Sequence, residues 1–270
     1  MEYADRINTE PHFNLAVAFD IGIRTPDMIS MKDMSDDDQK KLLADGSWTW
    51  ISGTTTAMKK LRGCRASFHA HWNGEKIGHF FVSVNDRAMF GIDMGPELVS
   101  NCMTVWAGQS RVVTPYLENL IKQVVARDPD FRGFVDVEAV LDGGEAIYQN
   151  ITVGALPEFV WTLAALYDKP IEDIFVSDDP PSGFGCCMRL FKYPYSLQTN
   201  QSVAQAVPVS DLKWDGESFV AIGRGSQMKK AWRDVYSKAA GLEKYGVIYR
   251  RDGDVLPRRT MFELKLGKYL

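Results

Sequence analysis

Glu138 and Asn150 offer two oxygen donors on neighbouring runs, "FVDVEAVLD" and "EAIYQNITV", that turn back on each other at Asp142-Gly143-Gly144. Pairing about that tip brings the two close across adjacent strands. Asp136 is expected to share the face of Glu138, and Tyr148 that of Asn150. Such a pair suits Mg²⁺, which takes few protein oxygens, keeps several waters and leans on substrate phosphates. A second candidate is "NDRAMFGIDMGPE" (85–97), a polar stretch after a strand. In it Asp86, Arg87 and Asp93 are spaced to converge on a polar ligand, and Gly95 lets a backbone approach closely. An ordinary surface loop is the competing reading. Third, His69 and His71 share a strand face, with His79 across a turn, a set able to bind zinc or iron. Their neighbours Phe68, Trp72 and Phe80 fit an aromatic-rich sheet face equally well.

The elements that must position these groups are marked in the sequence. Asn73-Gly74 between alternating runs is a hairpin signal, and "FRGFVDVEAVLDGGEAIYQNITV" is a second hairpin. "SDDDQKKLLADG" opens on a Ser cap with acids in its first turn and closes on Gly46, a short helix. "TPYLENLIKQVVARD" and "PEFVWTLAALYD" carry apolar residues at helical spacing. Residues 10–27 read as a helix and turn into a strand, closed by Gly22 and Pro26. After Asp178–Gly183 the texture changes: "FGCCMRLFKYPYS" and "SFVAIGRGS" read as strands, "QMKKAWRDVYSKAAGLEKY" as a helix and "GVIYRRDG" as a last strand. Hairpin-joined strands with helices on one side imply an α+β fold.

Composition narrows the function classes. The chain has 270 residues, 45% hydrophobic and 24% charged, a globular balance with room for one or two cores. No apolar run approaches the ~20 residues of a membrane helix, and the polar, acidic start is not a signal peptide. Net charge is −4 and the basic clusters are short, which argues against nucleic-acid binding; "YRRDGDVLPRR" and its like read as solvated faces and strand ends. Cys64, Cys102, Cys186 and Cys187 lack zinc spacing and read as small buried hydrophobes in a reducing cytoplasm.

Taken in order, these stretches resemble the phosphoribosylamine–glycine ligase (glycinamide ribonucleotide synthetase) family of the ATP-grasp superfamily. "HFNLAVAFDIGIRTP" (12–26) is similar to the helix and turn that open the ATP-grasp region. "RGCRASFHAHWNG" resembles the family's Gly-Glu-Glu-x-Ser strand, and "NDRAMFGIDMGPE" its Asp-His-Lys-Arg loop ending Asp-x-Gly-Pro-Asn. "YQNITVGALPE" resembles the Glu-x-Asn-x-Arg-Phe-Gly-Asp-Pro-Glu end of the metal strand. "CCMRLFKYPYS" and "GVIYRRDGD" resemble two strands of the C-terminal lobe. The resemblance spans residues 12–254.

It implies an ATP-grasp large lobe over 59–177, a smaller ligase-type C-terminal α/β lobe over 178–270, and N-terminal helices with a small-lobe remnant over 1–58. An N-terminal domain of about a hundred residues, an ordinary domain size, and most of the small lobe are expected to be missing. ATP and Mg²⁺ are the implied cofactors. Glu138 and Asn150 fall on metal-binding positions, and Asp86, Arg87, Asp93, Gly95 and Pro96 on the loop that holds the amine substrate's phosphosugar side. Lys59 falls near the adenosine hinge, and Arg65 takes the place of the second glutamate of Gly-Glu-Glu. Departures accompany this. Ser52 stands where a lysine belongs, Tyr148 where a metal-bridging glutamate belongs, Thr152 for an arginine and Ala155 for an aspartate. Loss of one such donor commonly costs about 10²–10³ in rate. Two functions follow from the resemblance: a diverged carboxylate–amine ligase, with a small amine or phosphosugar substrate and a partner subunit for the missing lobes, or a binding protein that has lost its chemistry. The histidine metal enzyme is the third reading.

Overall fold

The computed structural model describes residues 28–44, 46–50, 55–59, 63–90, 98–169, 171–174, 181–192, 212–214 and 219–270. The expected helix and turn over 10–27, Ser52, and the site candidates Asp93, Gly95 and Pro96 lie outside them.

The hairpins form where the turn residues demand them. β4 (Cys64–Trp72) and β5 (Ile77–Phe90) are joined through Asn73, whose Oδ1 accepts the backbone N–H groups of Glu75 and Lys76 at 2.9 Å each. β7 (Gly133–Asp142) and β8 (Glu145–Val153) meet through Gly143 and Gly144 alone. Both have positive φ, +58° and +92°, as the tightest hairpin turn requires. With β6 (Leu98–Ala107), β9 (Phe184–Lys192), β10 (Leu212–Trp214) and β11 (Phe219–Gly225) they build one antiparallel sheet in the order β10-β11-β9-β6-β5-β4-β7-β8. The strands on either side of 178–183 therefore share one sheet, β6 pairing directly with β9.

The α+β class holds, but the helices cover both faces of the sheet, not one. Central strands apolar on both sides demand this. One face sets Phe68, Ala70, Val82, Val135 and Val137 in a core with α2 (Thr114–Arg127) and α5 (Met228–Gly241). The other packs Phe81, Met103, Val105 and Phe134 against Phe159, Val160 and Leu163 of α3 (Pro157–Tyr167). A separate three-stranded sheet, β1 (Met28–Ser30), β3 (Thr56–Lys59) and β2 (Trp48–Trp50), accompanies α1 (Asp36–Ala44). The Ser35 hydroxyl caps α1, accepting the Asp38 N–H at 3.3 Å. A single turn, α4 (Ile171–Ile174), follows α3. All four cysteines are free and buried. Among the described residues no helix is long and apolar enough to cross a membrane.

The C-terminal region departs from expectation. The last strand, β12, is only Val247–Ile248, paired to β9. The chain then turns in at Arg250 and forms an unexpected helix, α6 (Val255–Leu266). Pro257 sits in its first turn, where a missing N–H costs nothing, and Leu264 anchors it to the core.

Candidate functional site

The sheet splits at its centre. β4 and β5 pair only from Ser67 opposite Ser83 onward. Below that point β4 stays with β7, down to Cys64 opposite Leu141, while β5 stays with β6, to Phe90 opposite Leu98. The fork opens a cavity of about 740 Å³, and α6 lies at it through Leu256, Arg259, Thr260 and Glu263. That volume falls in the range that holds small ligands.

Glu138 and Asn150 both line this cavity and stand directly opposite each other in the β7–β8 ladder. The ladder slips between Glu138 and Ala139, where Gln149 is the extra residue on β8. This bulge corrects the expectation that Tyr148 and Asn150 share a face. Asn150 keeps the face of Glu138, whereas Tyr148, opposite Ala139, turns away and stacks on Tyr116 of α2 at 3.9 Å. No alternating pattern betrays one inserted residue.

Arg65 lines the same wall. Its Nε lies 3.5 Å from Glu138 Oε1, and its Nη2 donates to Gln149 Oε1 at 3.3 Å. Asp136, two residues before Glu138, also lines the cavity. Burial, with the nearby Glu138 charge, pushes its carboxyl up to about 8. Behind it His69 Nδ1 lies 3.2 Å away but off the hydrogen-bonding axis, and His69 Nε2 meets Ser83 Oγ at 2.8 Å.

Asp86 and Arg87 line the cavity too, but they belong to β5, which runs on to Phe90, rather than to a loop. Asp86 is clamped. Arg250 Nη2 donates to its Oδ2 at 2.7 Å and Arg250 Nη1 to its carbonyl at 3.3 Å. The same guanidinium reaches Asp252 at 2.9 Å through Nε and Nη2. These bonds hold Arg250 more strongly protonated than usual and the Asp252 carboxyl below its usual range. Arg250 is 9% exposed, so "YRRDGDVLPRR" is not wholly the solvated run it resembles. Arg259 also turns to the cavity, its Nε donating to Glu263 Oε1 at 2.8 Å. Sequence reading missed Arg250 and Arg259. The Asp254–Pro257 stretch, a helix-start signal, was the one clue to the helix that carries Arg259. Lys59 ends β3, opposite Trp48.

The histidines do not make a metal centre. Among the described residues no three His, Cys, Asp or Glu side chains converge on a metal position. His69 stacks on Phe159 at 3.9 Å and His71 packs against Phe134 at 4.9 Å. Burial lowers them to about 3 and about 4, with His79 adding to the shift of His71, so both are neutral aromatic-face residues at ordinary pH. Glu138 and Asn150 are hard oxygen donors of the kind Mg²⁺ takes with waters and phosphate, and the cavity leaves room for both.

No family model matches the chain, and no curated protein matches it. Solved structures do. The chain is similar to phosphoribosylamine–glycine ligase from Thermotoga maritima, at 13% identity and a TM-score of 0.46, over 92% of this chain and 75% of that one. It is similar to glycinamide-RNase-transformylase T from Mycobacterium tuberculosis, at 13% identity and a TM-score of 0.45, over 84% and 69%. A third is the phosphoribosylaminoimidazole carboxylase ATPase subunit from Aquifex aeolicus, at 13% identity and a TM-score of 0.45, over 82% and 67%. At these identities and scores the likeness assigns no family.

Proposed function

We propose that the chain is a diverged ATP-dependent carboxylate–amine ligase of the ATP-grasp kind, working on a small amine or phosphosugar. The observation that carries this is the cross-strand pair Glu138 and Asn150 at the wall of a cavity of about 740 Å³ that also gathers Arg65, Arg87 and Arg259. Phosphoryl transfer is mainly positioning and charge stabilisation, so it needs oxygen donors for a metal and cations for phosphate rather than a nucleophile. Glu138 and Asn150 would hold Mg²⁺, which supplies neutralisation of phosphate charge. Arg87 and Arg259, on opposite sides of the fork, would face nucleotide oxygens. Transfer of the γ-phosphoryl group to a carboxylate would release ADP and make an acyl phosphate, whose carbonyl carbon an amine then attacks, forming the amide and expelling phosphate. Four free, buried thiols suit a reducing, cytoplasmic setting. A partner subunit is proposed to complete the nucleotide clamp.

A second reading, a nucleotide-binding protein without chemistry, is favoured by one specific feature. Arg65 already pairs with Glu138, and Tyr148 faces away from the cavity, so the metal position has a competing cation and a thinner donor set. Incubation with ATP, Mg²⁺ and a panel of carboxylates and amines separates the two. A ligase sustains ADP formation over many turnovers only with both co-substrates present, and Glu138→Ala lowers that rate at least 100-fold, about the loss expected for one stabilising group. Absence of ADP under every combination, with ATP still bound, leaves the second reading.

A further inference from the structure

Glu138, proposed above as a metal donor, already has a cation beside it. Arg65 Nε stands 3.5 Å from its Oε1, and Arg65 Nη2 donates to Gln149 Oε1 at 3.3 Å. Three strands meet in this contact. Arg65 of β4 sits opposite Val140, so it reaches Glu138 diagonally along β7, a span open to a long side chain. Gln149 is the extra residue of the β8 bulge. In a regular ladder it would stand opposite Ala139, which is fully buried on the other face of β7. The bulge puts Tyr148 there instead and leaves two successive residues, Gln149 and Asn150, on the Arg65 side. One inserted residue thus fastens a guanidinium beside the carboxylate.

The fastening is loose. The Arg65 side chain is 62% exposed and that of Glu138 33%, and an ion pair so wetted holds weakly. Its charge still matters to a metal. A divalent cation approaching Glu138 meets a guanidinium at ion-pair range, and that repulsion in water weakens binding by about tenfold. A polyphosphate relieves it, because phosphate oxygens suit the forked N–H groups of a guanidinium better than one carboxylate oxygen at 3.5 Å does. Arg65 lines the cavity, so a phosphate held there is open to it. We propose that Arg65 is an exchangeable counter-ion, covering Glu138 while the cavity is empty and turning to phosphate when nucleotide enters, so that Mg²⁺ binds together with the polyphosphate rather than ahead of it. The coupling is reciprocal, nucleotide and metal each favouring the other through one side chain. This deepens the ligase reading and rests on it for the metal position at Glu138 and Asn150; turnover is not required.

Two titrations of the full chain test the exchange: Mn²⁺ alone, read by loss of the free-ion EPR signal, and Mg²⁺–ATP, read by calorimetry. Arg65→Gln is expected to bind Mn²⁺ about tenfold more tightly than wild type and Mg²⁺–ATP about tenfold more weakly. A merely structural side chain would not move the two ligands in opposite directions. Arg65→Lys keeps the charge and keeps Mn²⁺ binding weak. Gln149→Leu, which unfastens the guanidinium, tightens Mn²⁺ as Arg65→Gln does, by less. Adding Glu138→Ala to Arg65→Gln removes the gained Mn²⁺ affinity. Unchanged Mn²⁺ affinity in Arg65→Gln, a lysine variant that behaves like the glutamine one, or a gain that survives Glu138→Ala overturns the exchange. If Glu138→Ala weakens Mg²⁺–ATP binding while Arg65→Gln alters neither ligand, the exchange alone is wrong. If Glu138→Ala leaves Mg²⁺–ATP binding untouched, the metal position fails, and the ligase reading that stands on it fails too.

Discussion

Arg250 shows how a single side chain organises the cavity wall. With 8% of its side chain exposed, it bridges Asp86 of β5 and Asp252 of its own loop, fixing the strand that carries Asn85 and Arg87. Removing one partner of a buried pair leaves the other charge uncompensated, so Arg250→Met is expected to lower stability by about 3–5 kcal/mol in urea unfolding. A loss under 1 kcal/mol would show that the clamp is incidental. Asp136 sets a pH dependence. Its carboxyl titrates at about 8 in the fold against an ordinary 3.8, so between those values the folded chain holds a proton that the unfolded chain has released. The stability tied to that proton is complete below pH ~4 and is lost as pH rises through about 8. Asp136→Asn should therefore melt increasingly above the parent from pH 4 to pH 8, with the gap levelling beyond; a gap independent of pH contradicts this. His69 and His71, lowered to about 3 and about 4, act oppositely, costing stability as pH falls below 6.5. Residues at this scale were half legible. Glu138 and Asn150 could be paired from the Gly-Gly tip, but the Gln149 bulge and the burial of Arg250 depend on tertiary placement that no local spacing encodes.

At the scale of elements, turn chemistry spoke most clearly. Asn73 and Gly143-Gly144 fix two hairpins, Ser35 fixes a helix start, and α2, α3 and α5 follow their apolar spacing. Two elements hid. β5 continues through Asn85–Phe90 because β6 keeps pairing with it, although polar residues there imitate a loop. α6 hid behind a run of arginines and a proline. Close approach between elements is testable at Gly185, where an added Cβ would run into the Thr162 carbonyl oxygen of α3. Gly185→Ala forces β9 away from α3, and about 1–3 kcal/mol of stability is expected to go with it, the usual cost of overpacking. Full retention of the parent's denaturation midpoint would mean that the helix yields freely.

For the whole molecule, the α+β class was legible from strands joined by hairpins, while the two-faced helix cover was not, since faces are assigned only when strands meet. The change of texture after Asp178 is real in the sequence, yet the strands beyond it extend the same sheet through β6 and β9. What emerges is a sheet forked below the Ser67–Ser83 pair, with metal-type donors on one prong, an arginine-bearing strand on the other and a terminal helix at the opening. The fork is proposed to hold ATP with Mg²⁺. Calorimetric titration of the full chain with ATP and Mg²⁺, beside the Glu138→Ala, Asn150→Ala double variant, tests this most directly. Mg²⁺-dependent ATP binding that weakens at least tenfold in the folded double variant is the expected result. Wild-type protein that binds no ATP, or a double variant that binds it equally well, would contradict it.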